Sequence, residues 1–234
     1  MVTTDMDLPN DDLPNSDMPT NNLPESGLPE NGATVFVIDD DESVRTALHS
    51  LLTLTGQRVE AFGSIEEFVS ASRNNSPSCL VLDVRLPGMS GLEFQEKLAN
   101  GGIRIPIIFI TAQGDSAMTR RALKAGAVDF LTKPFRKHEL LTAIQQALAL
   151  DRARREDQAE LSVLESRFES LTPREGEVFE LVVAGLMNKQ IADKLCLSEA
   201  SIKFHRGHVM QKMQAPSVAD LVRMSEKLNL GHRT

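Results

Sequence analysis

Cysteine is nearly absent from this chain of 234 residues: Cys79 and Cys196 are the two, each in an apolar stretch and in different halves. So placed, they read as small buried core residues, which leaves no disulfide framework and fits a cytosolic protein. No apolar run approaches the ~18 residues of a membrane span, so no membrane partner is expected. The amino terminus lacks an apolar stretch and reads as neither a signal peptide nor a transit peptide. Basic residues are missing from positions 1–33, which hold seven acids.

What is present begins with a repeat. Leu8-Pro9, Leu13-Pro14, Met18-Pro19, Leu23-Pro24 and Leu28-Pro29 recur every five residues among Asp, Asn, Glu and Ser. Proline at that spacing forbids a helix, and so few apolar residues cannot build a core. Residues 1–33 therefore read as a disordered acidic tail, either a solubilising spacer or a docking strip for a partner. The whole chain is 41% hydrophobic, enough for a real core after the tail. Its net charge of −8 is spread unevenly. Residues 34–148 carry thirteen acids and twelve bases, residues 149–166 five and three, and residues 167–234 eight acids, ten bases and three histidines. The acidic total thus does not exclude nucleic-acid binding by the mildly basic last segment.

From Thr34 the pattern alternates strand and helix. Apolar runs begin at Val35, Cys79, Ile107 and Val128, Arg58 to Phe62 reads as a short second strand, and each is followed by apolar residues at helical spacing. Five such units in about 115 residues predict an α/β fold: a doubly wound parallel sheet with helices on both faces. The second strand brings no polar residue to the pocket described below, which predicts an edge position and the order 2-1-3-4-5. This domain is expected over 34–149. Residues 150–168 are charged and helix-favouring and predict a short helical linker. Residues 169–234 form the last domain. Thr172, Pro173 and Glu175 make a capping box, Gly185 ends the first helix, Ser198 caps the third, and Val218 opens a fourth. Four short helices with a tight turn between the second and third predict a helix-turn-helix module.

The strand ends carry chemistry. Val35 to Ile38 runs into Asp39-Asp40-Asp41, Cys79 to Leu82 into Asp83, Ile107 to Ile110 into Thr111, and Val128 to Thr132 into Lys133-Pro134. Ligands bind at this carboxyl edge in open α/β sheets. Clustered carboxylates repel each other until a cation joins them, and oxygen-only ligands favour Mg²⁺. A carboxylate can attack phosphorus, a lysine can neutralise a phosphoryl oxygen, and a threonine hydroxyl can donate to it. Asp41 and Glu42 read as turn or cap residues instead.

Ile38-Asp39-Asp40-Asp41-Glu42, Leu82-Asp83-Val84-Arg85-Leu86-Pro87-Gly88-Met89-Ser90-Gly91, Thr111-Ala112, Ala125-Gly126-Ala127 and Lys133-Pro134-Phe135 resemble the receiver domain of two-component response regulators, most nearly the FixJ and StyR type. The resemblance implies that Asp83 is the phosphoacceptor, fed by a sensor histidine kinase. It implies Mg²⁺ held by Asp39, Asp40, Asp83 and the backbone carbonyl of Arg85, with Thr111 and Lys133 on the phosphoryl group. It further implies a cis Lys133-Pro134 bond and a switch in which Thr111 moves inward, Phe130 follows, and a homodimer forms.

In the last domain, Ala200, Lys203, Phe204, Gly207 and Gln211 share the helix face opposite Ile202, Val209 and Met213. Leu171-Thr172-Pro173-Arg174-Glu175, Gly185 to Ala192 and Ser201 to His205 resemble the LuxR/NarL-type DNA-binding domain. The resemblance makes Glu199 to Met213 the recognition helix. It places Lys203, Phe204 and Gly207 at base edges or nearby backbone, His205 and Arg206 at phosphates or flanking contacts, and Asn188 and Lys189 near the DNA backbone. Gly207 departs from the pattern, and either close approach or a shift of base reading to Arg206 would follow. One small module argues for a dimer on two half-sites. Val218, Leu221 and Val222 belong to a stripe that serves the module's core, the dimer contact, or both. The resemblance implies promoter DNA and RNA polymerase as partners and a lean towards activation. A haloacid-dehalogenase-like phosphatase would pair Asp39 with Asp41 but gives no role to Asp83. A receiver acting by sequestering a protein is the third reading.

Overall fold

A computed structural model describes residues 32–72, 75–112 and 116–228; the Leu-Pro repeat lies outside them. The first half alternates β1 (Thr34–Ile38), α1 (Glu42–Leu54), β2 (Arg58–Phe62), α2 (Ile65–Ser70), β3 (Ser78–Asp83), α3 (Gly91–Asn100), β4 (Ile107–Thr111), α4 (Ser116–Lys124) and β5 (Asp129–Thr132). All pairings are parallel, in the order β2-β1-β3-β4-β5, so β2 is an edge strand as its sequence predicts.

Strand periodicity explains the two-faced core. Alternate side chains point to opposite faces. Val35, Val37, Val81, Ile108 and Ile110 face one side and pack against Leu48 and Leu52 of α1 and Leu140, Ile144 and Leu148 of the helix after β5. Phe36, Ile38, Leu80, Leu82 and Phe109 face the other, against Phe68, Leu92, Phe94 and Leu98. With both faces covered, the middle strands are apolar throughout.

The helix after β5 differs from expectation. It is one helix, α5 (Lys137–Glu169), of 33 residues, with no separate linker helix. No glycine or proline interrupts it, and the charged residues that break its apolar seam are good helix formers. Asp151 within it is fully buried. Its carboxylate accepts from Ser78 N at 2.9 Å at the start of β3 and pairs with Arg155 at 2.6 Å and with Arg154. Packing against the sheet therefore continues past position 149.

The last helices are α6 (Pro173–Val183), α7 (Asn188–Leu195), α8 (Glu199–Met213) and α9 (Val218–Lys227). Their core joins Val178, Phe179, Ile191, Ile202, Val209 and Leu221. The Thr172–Glu175 capping box forms, with Pro173 in the first turn of α6. Cys79 is buried, but Cys196 is exposed, contrary to its apolar context. It ends α7 in the left-handed conformation (φ 55°), so it turns outward at the helix-turn-helix corner.

Candidate functional site

The parallel sheet brings Asp39, Asp83, Thr111 and Lys133 to one edge, because β1, β3, β4 and β5 end together there. Asp39, Asp83 and Thr111 are buried, while Asp40 is exposed. Lys133 Nζ bridges the carboxylates, donating to Asp39 Oδ2 at 2.7 Å and Asp83 Oδ2 at 2.8 Å. The second oxygen of each accepts a backbone N–H: Asp39 Oδ1 from Asp41 at 3.0 Å, Asp83 Oδ1 from Arg85 at 2.8 Å. No backbone N–H among the described residues donates to the Arg85 carbonyl. The Lys133-Pro134 bond is cis.

Burial pushes the Asp39 carboxyl above its ordinary range, and the nearby Asp83 charge adds to this; the Lys133 and Asp41 bonds oppose it without winning. Burial works against the Lys133 charge, but the bonds to Asp39 and Asp83 outweigh it and raise its pKa. One ammonium thus bonds two of three clustered carboxylates. Oxygens of Asp39, Asp40 and Asp83 lie within 4.8 Å of one another, and a hard divalent cation fits this donor set and its surplus negative charge.

Two residues at the site carry no obvious chemical signal in the sequence. Arg45 of α1 donates to the backbone carbonyls of Asp39 at 2.8 Å and Asp40 at 2.9 Å, fixing the acidic loop. Gly91 opens α3 so close to β3 that a Cβ there would stand 2.6 Å from the Asp83 carbonyl oxygen. A glycine at the first turn of a helix beside a strand-end aspartate is the signal that could have found it. Asp41, the partner required by the phosphatase reading, caps α1 by accepting from Ser43 N and Val44 N. Phe130 is half-buried on β5, its ring 6.2 Å from that of Phe109, and it pairs in register with Phe109, two residues before Thr111.

In the helical module, Lys203, Phe204, Gly207 and Lys189 are exposed, and His205, Arg206 and Asn188 are half-buried. Arg206 donates to Asn188 Oδ1 at 2.8 Å, joining α8 to α7. Phe204 is 61% exposed, and its ring lies 4.2 Å from that of His208. A Cβ on Gly207 would meet nothing within 4 Å, so the protein's own packing does not demand glycine there. Leu221 is wholly inside the module's core and is withdrawn as a dimer contact: no atom of a second copy can reach it without opening the core. Val218 packs partly on that core, and Val222 is half-buried. The end of α5 is bonded to the recognition helix, Arg167 to Gln214 at 2.7 Å and Lys212 to Ser170 O at 3.0 Å.

Comparison with known proteins agrees with this geometry. The family model "Response regulator receiver domain" matches residues 35–145, and "Bacterial regulatory proteins, luxR family" matches residues 169–225. Nodulation protein W of Bradyrhizobium diazoefficiens is 55% identical over 198 residues, spanning 85% of this chain and 87% of that protein. Response regulator protein TmoT of Ectopseudomonas mendocina is 46% identical over 196 residues, spanning 84% of this chain and 89% of its own. The solved structure of response regulator StyR superposes with a TM-score of 0.76 at 49% identity, over 84% of this chain and 99% of that one. The chain belongs to the two-component response regulators that couple a receiver domain to a luxR-family DNA-binding domain, and it is a transcription regulator.

Proposed function

We propose that a sensor histidine kinase phosphorylates Asp83, that the phosphorylated protein dimerises, and that the dimer binds promoter DNA and activates transcription through RNA polymerase. The observation that carries this reading is the buried Asp83 carboxylate held at 2.8 Å by Lys133 beside two further carboxylates. An Asp83 oxygen attacks the phosphorus of a phosphohistidine; the O–P bond forms, the P–N bond breaks, and the imidazole leaves with a proton. Asp39, Asp40, Asp83 and the Arg85 carbonyl would hold Mg²⁺, which would supply charge neutralisation for the phosphoryl oxygens. Lys133 exchanges its bond to Asp83 for one to a phosphoryl oxygen, and the Thr111 hydroxyl donates to another. Hydrolysis of the acyl phosphate by water resets the site, so the only turnover is self-phosphorylation and self-dephosphorylation.

Thr111 moving towards the phosphoryl group draws Phe130 inward, and this remodels the receiver surface for a second copy. On DNA, α8 enters the major groove with Lys203, Phe204 and Gly207 facing base edges, while His205, Arg206, Asn188 and Lys189 meet the backbone. Gly207 supports close approach, since nothing but solvent faces it. The Arg206–Asn188 bond supports a phosphate or flanking role for Arg206. Val218 and Val222 remain for the DNA-bound dimer contact. A cytoplasmic location follows from the response-regulator family; no described helix is long and apolar enough to cross a membrane.

The test is mass spectrometry of the protein after treatment with acetyl phosphate and Mg²⁺, alongside promoter binding. One phosphoryl group on Asp83, absent in Asp83→Asn, and tighter DNA binding that depends on it are expected. Modification at another residue would falsify the assignment.

A further inference from the structure

A cleft on the receiver lies outside both sites. It opens at the amino edge of the sheet, opposite the acidic pocket, with a volume of about 380 Å³. Ile103 and Leu150, 40% and 56% exposed, stand on its walls with Leu98 and Pro106. Arg104 is its one charged lining residue and forms no ion pair among the described residues. Gln95, also on the wall, is buried; its Nε2 donates to Ala125 O at 3.1 Å, and its Oε1 has no partner. The cleft therefore offers apolar surface and one cation.

We propose that the last units of the acidic Leu-Pro repeat of this same chain, residues 23–30, dock in that cleft. The described chain begins at Gly32, and Thr34 opens β1 at the same sheet edge, paired with Ser78. The cleft borders the start of β4, where Ile107 pairs with Leu80 of β3. β4 lies two strands from β1, about 10 Å at ordinary strand spacing. Six residues, from Leu28 to Thr34, extend to about 20 Å, so the tether is long enough. Leu23-Pro24 and Leu28-Pro29 supply apolar side chains to Ile103 and Leu150. Glu25 and Glu30 supply charge to Arg104, and the tail has no base to oppose it. Proline limits the conformations lost on docking, and the short tether keeps the local concentration high. The docked repeat covers Leu150, next to the buried Asp151 that holds α5 on the sheet.

Hydrogen exchange of the full chain, read by mass spectrometry over residues 98–107 and 146–152, tests this. In the double variant Leu23→Ser/Leu28→Ser these amides should exchange about threefold faster or more, with no change at α7 or α8. Arg104→Glu should give the same increase, and adding Glu25→Arg and Glu30→Arg to it should restore the slow rate. Equal rates in the wild type and the tail variant overturn the proposal. Protection that disappears on dilution overturns it in favour of a second copy's tail. Protection by the tail of α7 and α8 instead overturns it in favour of the DNA-reading face.

Discussion

Lys133 shows how a single side chain sets the state of the acidic pocket, since it holds both Asp39 and Asp83. Asp39 bears the cost. Its folded-state pKa lies above the ordinary 3.8, so the folded chain binds the proton more tightly than the unfolded one. Stability contributed by this group falls as pH rises from 3.8 through the raised value. Asp39→Asn should therefore raise the receiver's melting temperature, by about 2–4 °C per kcal/mol recovered, while abolishing phosphorylation. Differential scanning calorimetry at pH 7 and at pH 3 checks it: the gain should shrink at the lower pH. Gly91→Ala should act in the opposite sense. A methyl 2.6 Å from the Asp83 carbonyl oxygen forces the phosphoacceptor loop to move, at about 1–3 kcal/mol, and should slow phosphoryl uptake. A variant that melts and labels like the wild type would remove Gly91 from the site. The aspartates, threonine and lysine were legible because each follows a run of apolar residues; Arg45 was not, because its role is played through backbone carbonyls.

At the scale of elements, α5 runs from the receiver into the helical module, and α6 packs on α8 inside that module. Asp151→Ala should strand the Ser78 N–H and two arginines, costing about 3 kcal/mol in urea unfolding of the receiver. Asp151→Asn should cost less, since it can still accept from Ser78. At the other end, Lys212 and the Thr172 backbone N–H hold the Glu175 carboxyl down at about 2. The folded pKa lies below the ordinary 4.5, so this contribution is complete above pH 4.5 and is lost as pH falls through about 2. Glu175→Gln should flatten the acid limb of the module's stability between those values, as read by melting across pH. The sequence revealed the capping box that Glu175 completes. It could not reveal that the same carboxylate receives Lys212, which is 37 residues away.

For the whole molecule, the decisive contrast is between neighbours on α9. Leu221→Asp should unfold the helical module because it places a charge in a closed core. Val222→Asp should leave the circular dichroism melt unchanged and weaken promoter binding about tenfold or more by opposing the dimer. If both variants fold and bind alike, Val222 is no part of the dimer contact. Strand and helix identities, strand order and the chemistry of the carboxyl edge were determined by the sequence alone, because period-two and helical spacing and the residue at each strand end are local signals. The continuity of α5 past position 149 and the separation of Leu221 from Val222 were decided by tertiary structure. Each depends on partners brought together from distant parts of the chain, as Ser78 is brought to Asp151, 73 residues away, and local patterning carries no record of such meetings.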